Sequence, residues 1–221
     1  MVDKYFYAAY NNDGVSKMEM DKSIRRPKQS RSIQTKQKIL DAAYELFCNK
    51  GYYTTTTNEI AVVAGVSIGS LYSYFQDKDT ILLEILNRYN DSFMEVHDNL
   101  NIDIEKYKEN PKLWFRRFIE GMVEIHRESK EFNQELQLLC HAIPEVAAIM
   151  EKQKNKIRQI TLGYLESFRD ILRVEDLEVA SMVADILIGS IVDQVVFYEN
   201  QIDDDRIISA GVDAVYQYLM A

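Results

Sequence analysis

Residues 35–86 read TKQKILDAAYELFCNKGYYTTTTNEIAVVAGVSIGSLYSYFQDKDTILLEIL, and the spacing of apolar and small residues within them decides the fold. Ile39, Ala43, Leu46 and Phe47 recur at i, i+4, i+7 and i+8, one face of a helix. Thr35 is a candidate N-cap, and Lys50-Gly51 stops the helix with a cation in its last turn and a residue free to take positive φ. Thr55 or Thr56 caps a second helix holding Ile60, Ala61 and Ala64, with Glu59 in capping-box range of Thr56. Gly65 ends it, Val66 is a buried link, and Ser67 caps a third short helix through Phe75, with Leu71 and Phe75 inward. A short helix, a tight glycine turn and another short helix form the helix-turn-helix arrangement. Ala61 and Gly65 are expected where those helices cross closely. Asp77 or Asp79 opens a fourth helix, with Ile81, Leu82, Ile85, Leu86 and Tyr89 inward, running to about Asn99.

Downstream the pattern stays helical. Asn110-Pro111 is a cap followed by proline at the first helical position, and Trp114, Phe115, Phe118, Met122 and Ile125 follow on apolar faces. Further helices are expected over 129–142, 144–173, 175–199 and 204–220, the last opening on Asp203, Asp204 and Asp205 at the positive end of its dipole. Residues 175–199 are apolar around most of their circumference and must be buried, in a core or against a second chain. With no strand pair, hairpin turn or internal repeat, the chain reads as all-α. The division is a flexible basic arm (1–34), a helix-turn-helix head (35–82) and a helical body (83–221).

Charge is unevenly placed. The net charge is −9, yet residues 20–90 carry ten Lys/Arg against seven Asp/Glu, whereas 91–221 carry fourteen against twenty-five. A basic front on an acidic back suits a protein with one end facing phosphates. The arm holds Arg25, Arg26 and Lys28 around Pro27, either a solvated tail or a strand of charge beside a minor groove. No apolar run approaches the ~20 residues that span a bilayer. No signal peptide is expected, Cys48 and Cys140 have neither metal-ligand nor disulfide spacing, and the cytoplasm is the expected compartment.

Residues 35–83 closely resemble the DNA-binding head of the TetR family of bacterial repressors. The resemblance rests on Ile39-Leu40, Ala42-Ala43, Leu46-Phe47, Gly51-Tyr52, Thr55-Thr56, Ile60-Ala61, Ala64-Gly65-Val66-Ser67, Leu71-Tyr72, Tyr74-Phe75 and Lys78 at fixed spacing. It implies that the third helix enters the major groove, with Ser67, Ile68, Gly69 and Ser70 nearest the base edges. Ser70 would hydrogen-bond a base or phosphate, and Ile68 would pack on a thymine methyl. Tyr72 and Tyr74 would lean on phosphates, Lys78 would clamp one, and Thr56, Thr57 and Asn58 would add second-helix contacts. The segment 66–75 lacks Arg, Gln and Lys, so shape readout or the arm contributes to specificity.

The same resemblance implies a homodimer paired through the last two helices, and the apolar 175–199 segment supports it. Ala184, Ile188, Gly189, Ile191 and Val195 are the expected interface, with Ala184 and Gly189 permitting close approach. It also implies a small-molecule effector inside the body, for which Trp114, Phe118, Met122, His126, Tyr164 and Phe168 are candidates, each equally readable as core packing. Asp185 and Asp193 would favour a cationic ligand or, with Glu178, form the solvent stripe of their helix. His126 and His141 read as hydrogen-bonded structural histidines. No cofactor or metal is expected. Cys140-His141 is the one pair suggesting catalysis, and adjacent helical residues point about 100° apart. The resulting reading is a ligand-released repressor on double-stranded operator DNA. The alternatives are a chromosome-organisation or division factor with this head, and a repressor with a filled core and no ligand.

Overall fold

The computed structural model describes residues 30–101 and 107–220, and among them there is no strand. The helices are α1 (Ser30–Lys50), α2 (Thr57–Val63), α3 (Ile68–Tyr72), α4 (Lys78–Asn101), α5 (Pro111–Glu128), α6 (Lys130–Ala142), α7 (Pro144–Ser167), α8 (Leu177–Phe197) and α9 (Asp204–Met220). Arg25, Arg26 and Lys28 lie outside the described residues.

The chain forms two units, the first running to Asp91 and taking in Glu131–Val146, the second comprising Ser92–Lys130 and the residues from Ala147 on. The division thus falls at Asp91 rather than at residue 82, and the segment 131–146 joins the first unit. α1 starts at Ser30, five residues before the expected cap, so Thr35 caps nothing; its hydroxyl donates to the Arg31 carbonyl one turn back. Residues 30–34 are accordingly helix and not arm.

In the first unit Ile39, Leu40, Ala43 and Phe47 of α1 are fully buried with Ile60, Leu71, Ile81, Ile85 and Leu86. Burying each large side chain of this kind contributes roughly 1.5–3 kcal/mol. Phe132 of α6 completes this core, its ring 5.1 Å from that of Tyr44 and 5.3 Å from that of Tyr89. Glu135 of α6 accepts the Tyr52 backbone N–H at 2.6 Å.

In the second unit α5, α8 and α9 pack on one another. Asn110 caps α5 by accepting the Leu113 N–H, and Asp176 caps α8 by accepting the Val179 N–H. Arg116 and Arg127 of α5 pair with Asp205 and Asp204, so the acidic opening of α9 is tied to a neighbouring helix. α8 corrects the reading that no stretch approaches membrane-spanning length: by length and composition Leu177–Phe197 is apolar enough to cross one. Here one side of it is core, with Leu177, Ala180, Ala184, Ile188, Val192 and Val195 buried.

Candidate nucleic-acid interface and effector cavity

Local rules set the head's geometry. The Thr56 hydroxyl accepts the Glu59 N–H while the Glu59 carboxylate accepts the Thr56 N–H, a complete capping box at the start of α2. The Lys50 ammonium and Thr56 donors hold the Glu59 carboxyl well below the usual range, at about 2. α2 ends in a Schellman turn: the Gly65 N–H donates to Val62 and the Val66 N–H to Ala61. Gly65 has φ +66°, which is why glycine stands there. A Cβ at Gly65 would meet nothing within 4 Å, so close helix crossing, the expected reason, is not the cause.

The turn delivers α3 to the surface. Ser67 caps it by accepting the Ser70 N–H, and Ser67, Ile68 and Gly69 are exposed with Ser70 half-buried, while Leu71 anchors the other side. Tyr72 is exposed and shares a 3.0 Å hydrogen bond with the Thr57 hydroxyl, linking α3 to the start of α2 beside exposed Thr56 and Asn58. α3 spans Ile68–Tyr72 with Ser73 as its C-cap, shorter than the expected run to Phe75, and Tyr74 and Phe75 beyond it are buried.

Two expected phosphate contacts are corrected. Tyr74 is 7% exposed and its hydroxyl shares a 2.9 Å hydrogen bond with Ser32 of α1, so it is a packing residue of the head. Lys78 points its ammonium at the carbonyl oxygens of Tyr52 and Thr55, at 2.7 and 2.8 Å, over the Tyr52 ring. Burial there lowers its pKa. It braces the head instead of reaching outward.

Other cations lie exposed beside α3. A surface groove of about 440 Å³ runs beside α3, lined by Arg31, Gln34, Thr35 and Lys38 of α1 and by Gly65, Val66, Ser67 and Ser70. Lys36 and Lys50 are paired with Glu84 and Glu59, whereas Arg31 and Lys38 have no ion pair among the described residues and face solvent. Sequence reasoning placed Gln34 and Arg31 in the arm because it began the helix at Thr35, and it gave Lys38, inside that helix, no role of its own. An i, i+3, i+7 polar row over Arg31, Gln34 and Lys38 was the available signal.

The second unit holds a small cavity of about 20 Å³ whose lining includes four of the six effector candidates, Trp114, Phe118, Tyr164 and Phe168, together with Thr161, Asp185 and Ile188. Met122 and His126 do not line it. The His126 imidazole is 2.8 Å from the Met122 carbonyl and edge-on to Phe93 and Phe197. His141 likewise sits on the Gln137 carbonyl at 2.8 Å. Asp185 is not in the solvent stripe, which Glu178 and Asp193 occupy. It turns inward to within 3.4 Å of the Thr161 hydroxyl, and burial raises its pKa.

The expected dimer residues are also redistributed. Ala184, Ile188 and Val195 are buried within their own unit. Ile191 occupies the space a Cβ on Gly211 of α9 would need. Only Gly189 is exposed, and nothing lies within 4 Å of where its Cβ would be. The apolar face α8 leaves uncovered is Val179, Met182 and Ile186, the last 61% exposed, in line with Gly189.

Comparison with known proteins agrees with this architecture. Residues 39–85 match the family model for bacterial regulatory proteins of the TetR family, and residues 93–220 match the tetracyclin repressor-like C-terminal domain. The chain belongs to the TetR family. Its relatives include the HTH-type transcriptional regulator YuxN of Bacillus subtilis, 32% identical over 127 residues, 57% of this chain and 41% of that one. The TetR-family chain therefore spans less than half the length of this curated relative. A TetR-family regulator from Mesorhizobium loti has a similar fold, with TM-score 0.68 and 18% identity over 87% of this chain and 100% of that one. So does a transcriptional regulator from Saccharomonospora viridis solved in complex with choline, with TM-score 0.64 and 17% identity over 87% of this chain and 100% of that one.

Proposed function

We propose that the chain is a sequence-specific transcriptional regulator, a repressor that leaves its operator when a small molecule enters its second unit. The observation that carries this reading is α3, held out from the head by the Gly65 turn with Ser67, Ile68 and Gly69 exposed and Arg31 and Lys38 flanking it. Ser70 and Ile68 read base edges, and Arg31, Lys38, Thr57 and Tyr72 hold phosphates. Arg25, Arg26 and Lys28, which precede the described residues in sequence, add to the positive charge available for phosphates.

The protein acts as a homodimer, since two α3 helices must reach successive major grooves about 34 Å apart. The uncovered stripe Val179, Met182, Ile186 and Gly189 supports α8 as the pairing helix. An effector in the aromatic cavity is supported by its convergent polar groups and by the choline complex of a fold relative. We place the protein with its DNA in the cytoplasm. We assign it no catalysis: burial raises the pKa of the Cys140 thiol, and the neighbouring His141 ring is engaged by a backbone carbonyl.

Mapping bound sites across the host chromosome tests this. The expected result is one or a few promoters, while scattered sites would instead favour a role in chromosome organisation.

A further inference from the structure

The chemical class of the effector follows from the polar atoms around the cavity, an inference that rests on the ligand-released reading above. At about 20 Å³ the cavity has room for one oxygen atom and little more. Trp114 is 5% exposed, yet its indole Nε1 is buried with no hydrogen-bond partner among the described residues. Trp114, one of the lining residues, therefore carries a donor with nothing to receive it among the described residues.

The other polar lining is an acceptor. Among the described residues Asp185 Oδ1 receives only a long 3.4 Å contact from Thr161, which leaves carboxylate lone pairs for a further donor. Arg158 and Lys154 partly offset its burial. The remaining walls are rings: Trp114 and Phe118 lie parallel, Tyr164 stands edge-on to Trp114 at 5.0 Å, and Phe168 closes the cluster at 6.0 Å.

We infer that this cavity is the head-group site for an uncharged aromatic alcohol or phenol, whose hydroxyl oxygen accepts from Trp114 Nε1–H and whose O–H donates a hydrogen bond to the Asp185 carboxylate. A hydroxyl both accepts and donates, so a single ligand group can serve the Trp114 donor and the Asp185 acceptor. A ligand carboxylate would meet Asp185 with like charge, an ammonium offers Trp114 no acceptor, and a hydrocarbon leaves both atoms unpaired. The aromatic body of the ligand displaces the packed rings, because the free volume holds only the hydroxyl.

Trp114 is the chain's sole tryptophan, so its emission reports on this hydrogen bond directly. Benzyl alcohol, toluene and benzylammonium are titrated into the full chain by calorimetry and by fluorescence. Benzyl alcohol is expected to bind at least about tenfold tighter than either of the others and to move the emission to longer wavelength, since sites built for a hydroxyl discriminate strongly against analogues lacking it. Trp114→Phe and Asp185→Ala are each expected to abolish that preference, so the test survives if one variant does not fold. Toluene binding as tightly as the alcohol, benzylammonium binding best, or no binding of benzyl alcohol (a cavity for structural water only) would overturn the inference. Operator binding by the unliganded chain is measured alongside: its absence would sink the regulator reading, whereas its presence without hydroxyl selectivity would sink only this assignment.

Discussion

The Lys78 ammonium lies 2.7 Å from the Tyr52 carbonyl oxygen and 4.2 Å from the centre of the Tyr52 ring. With its second bond to the Thr55 carbonyl it fastens the first turn of α4 to the link between α1 and α2. This lysine is spent on the fold, so Lys78→Ala is expected to cost about 1–3 kcal/mol of stability while leaving the salt dependence of DNA binding nearly unchanged. Arg31→Ala and Lys38→Ala should do the reverse, each lowering the slope of log K against log salt by roughly one unit with little effect on melting. Thermal denaturation and duplex titrations at several salt concentrations check both.

Tyr72 and Tyr74 separate in the same way. Tyr74→Phe removes the hydrogen bond to Ser32 and should destabilise the head by about 1 kcal/mol. Tyr72→Ala, at an exposed position, should keep the melting temperature and weaken operator binding. Equal losses of stability in the two variants would show that the exposed tyrosine also holds the fold.

The two faces of α8 give a third expectation. Ile186→Glu puts a charge on the uncovered stripe and is expected to yield a folded monomer with weakened operator binding, read by sedimentation and melting. Ala184→Leu forces volume into a core where Ala184 is 2% exposed and should cost about 1–3 kcal/mol instead.

These pairs show what the sequence could and could not reveal. The Thr56–Glu59 box, the Ser67 cap, the Asn110-Pro111 start and the glycine turn are local, each settled by residues within a few positions, and all are found as read. The direction of Tyr74 depends on Ser32, 42 residues away, and that of Lys78 on carbonyls 26 and 23 residues away. No local pattern carries such information. On α8 the difficulty is different: a helix apolar all round has almost no preferred side, so periodicity could not divide Ala184 and Ile188 from Met182 and Ile186. The sequence left Asp185 between an inward position and the solvent stripe for the same reason.

His97 sets a pH dependence. Its ring is 1% exposed, packed between Phe118 and Tyr164, and both ring nitrogens lack a partner among the described residues. Burial, opposed in part by Asp98, lowers its pKa from 6.5 to about 4. The unfolded chain thus binds the proton more readily, so stability is fully present above pH 6.5 and falls as pH drops toward 4, by on the order of 3 kcal/mol. His97→Phe should flatten that fall in melting curves taken between pH 7 and 4, and an unchanged slope would place the acid sensitivity elsewhere.

The central claim is that α3 presents itself to the major groove of DNA as one of a symmetric pair. Selection of duplexes from a random library by the full chain tests it most directly. The expected result is an inverted repeat with half-sites about one helical turn apart, 10–10.5 base pairs centre to centre, enriched by the wild type. Its preferred bases should change when Ser70 is replaced. Recovery of unrelated sequences with no repeat and no effect of Ser70 would contradict the assignment.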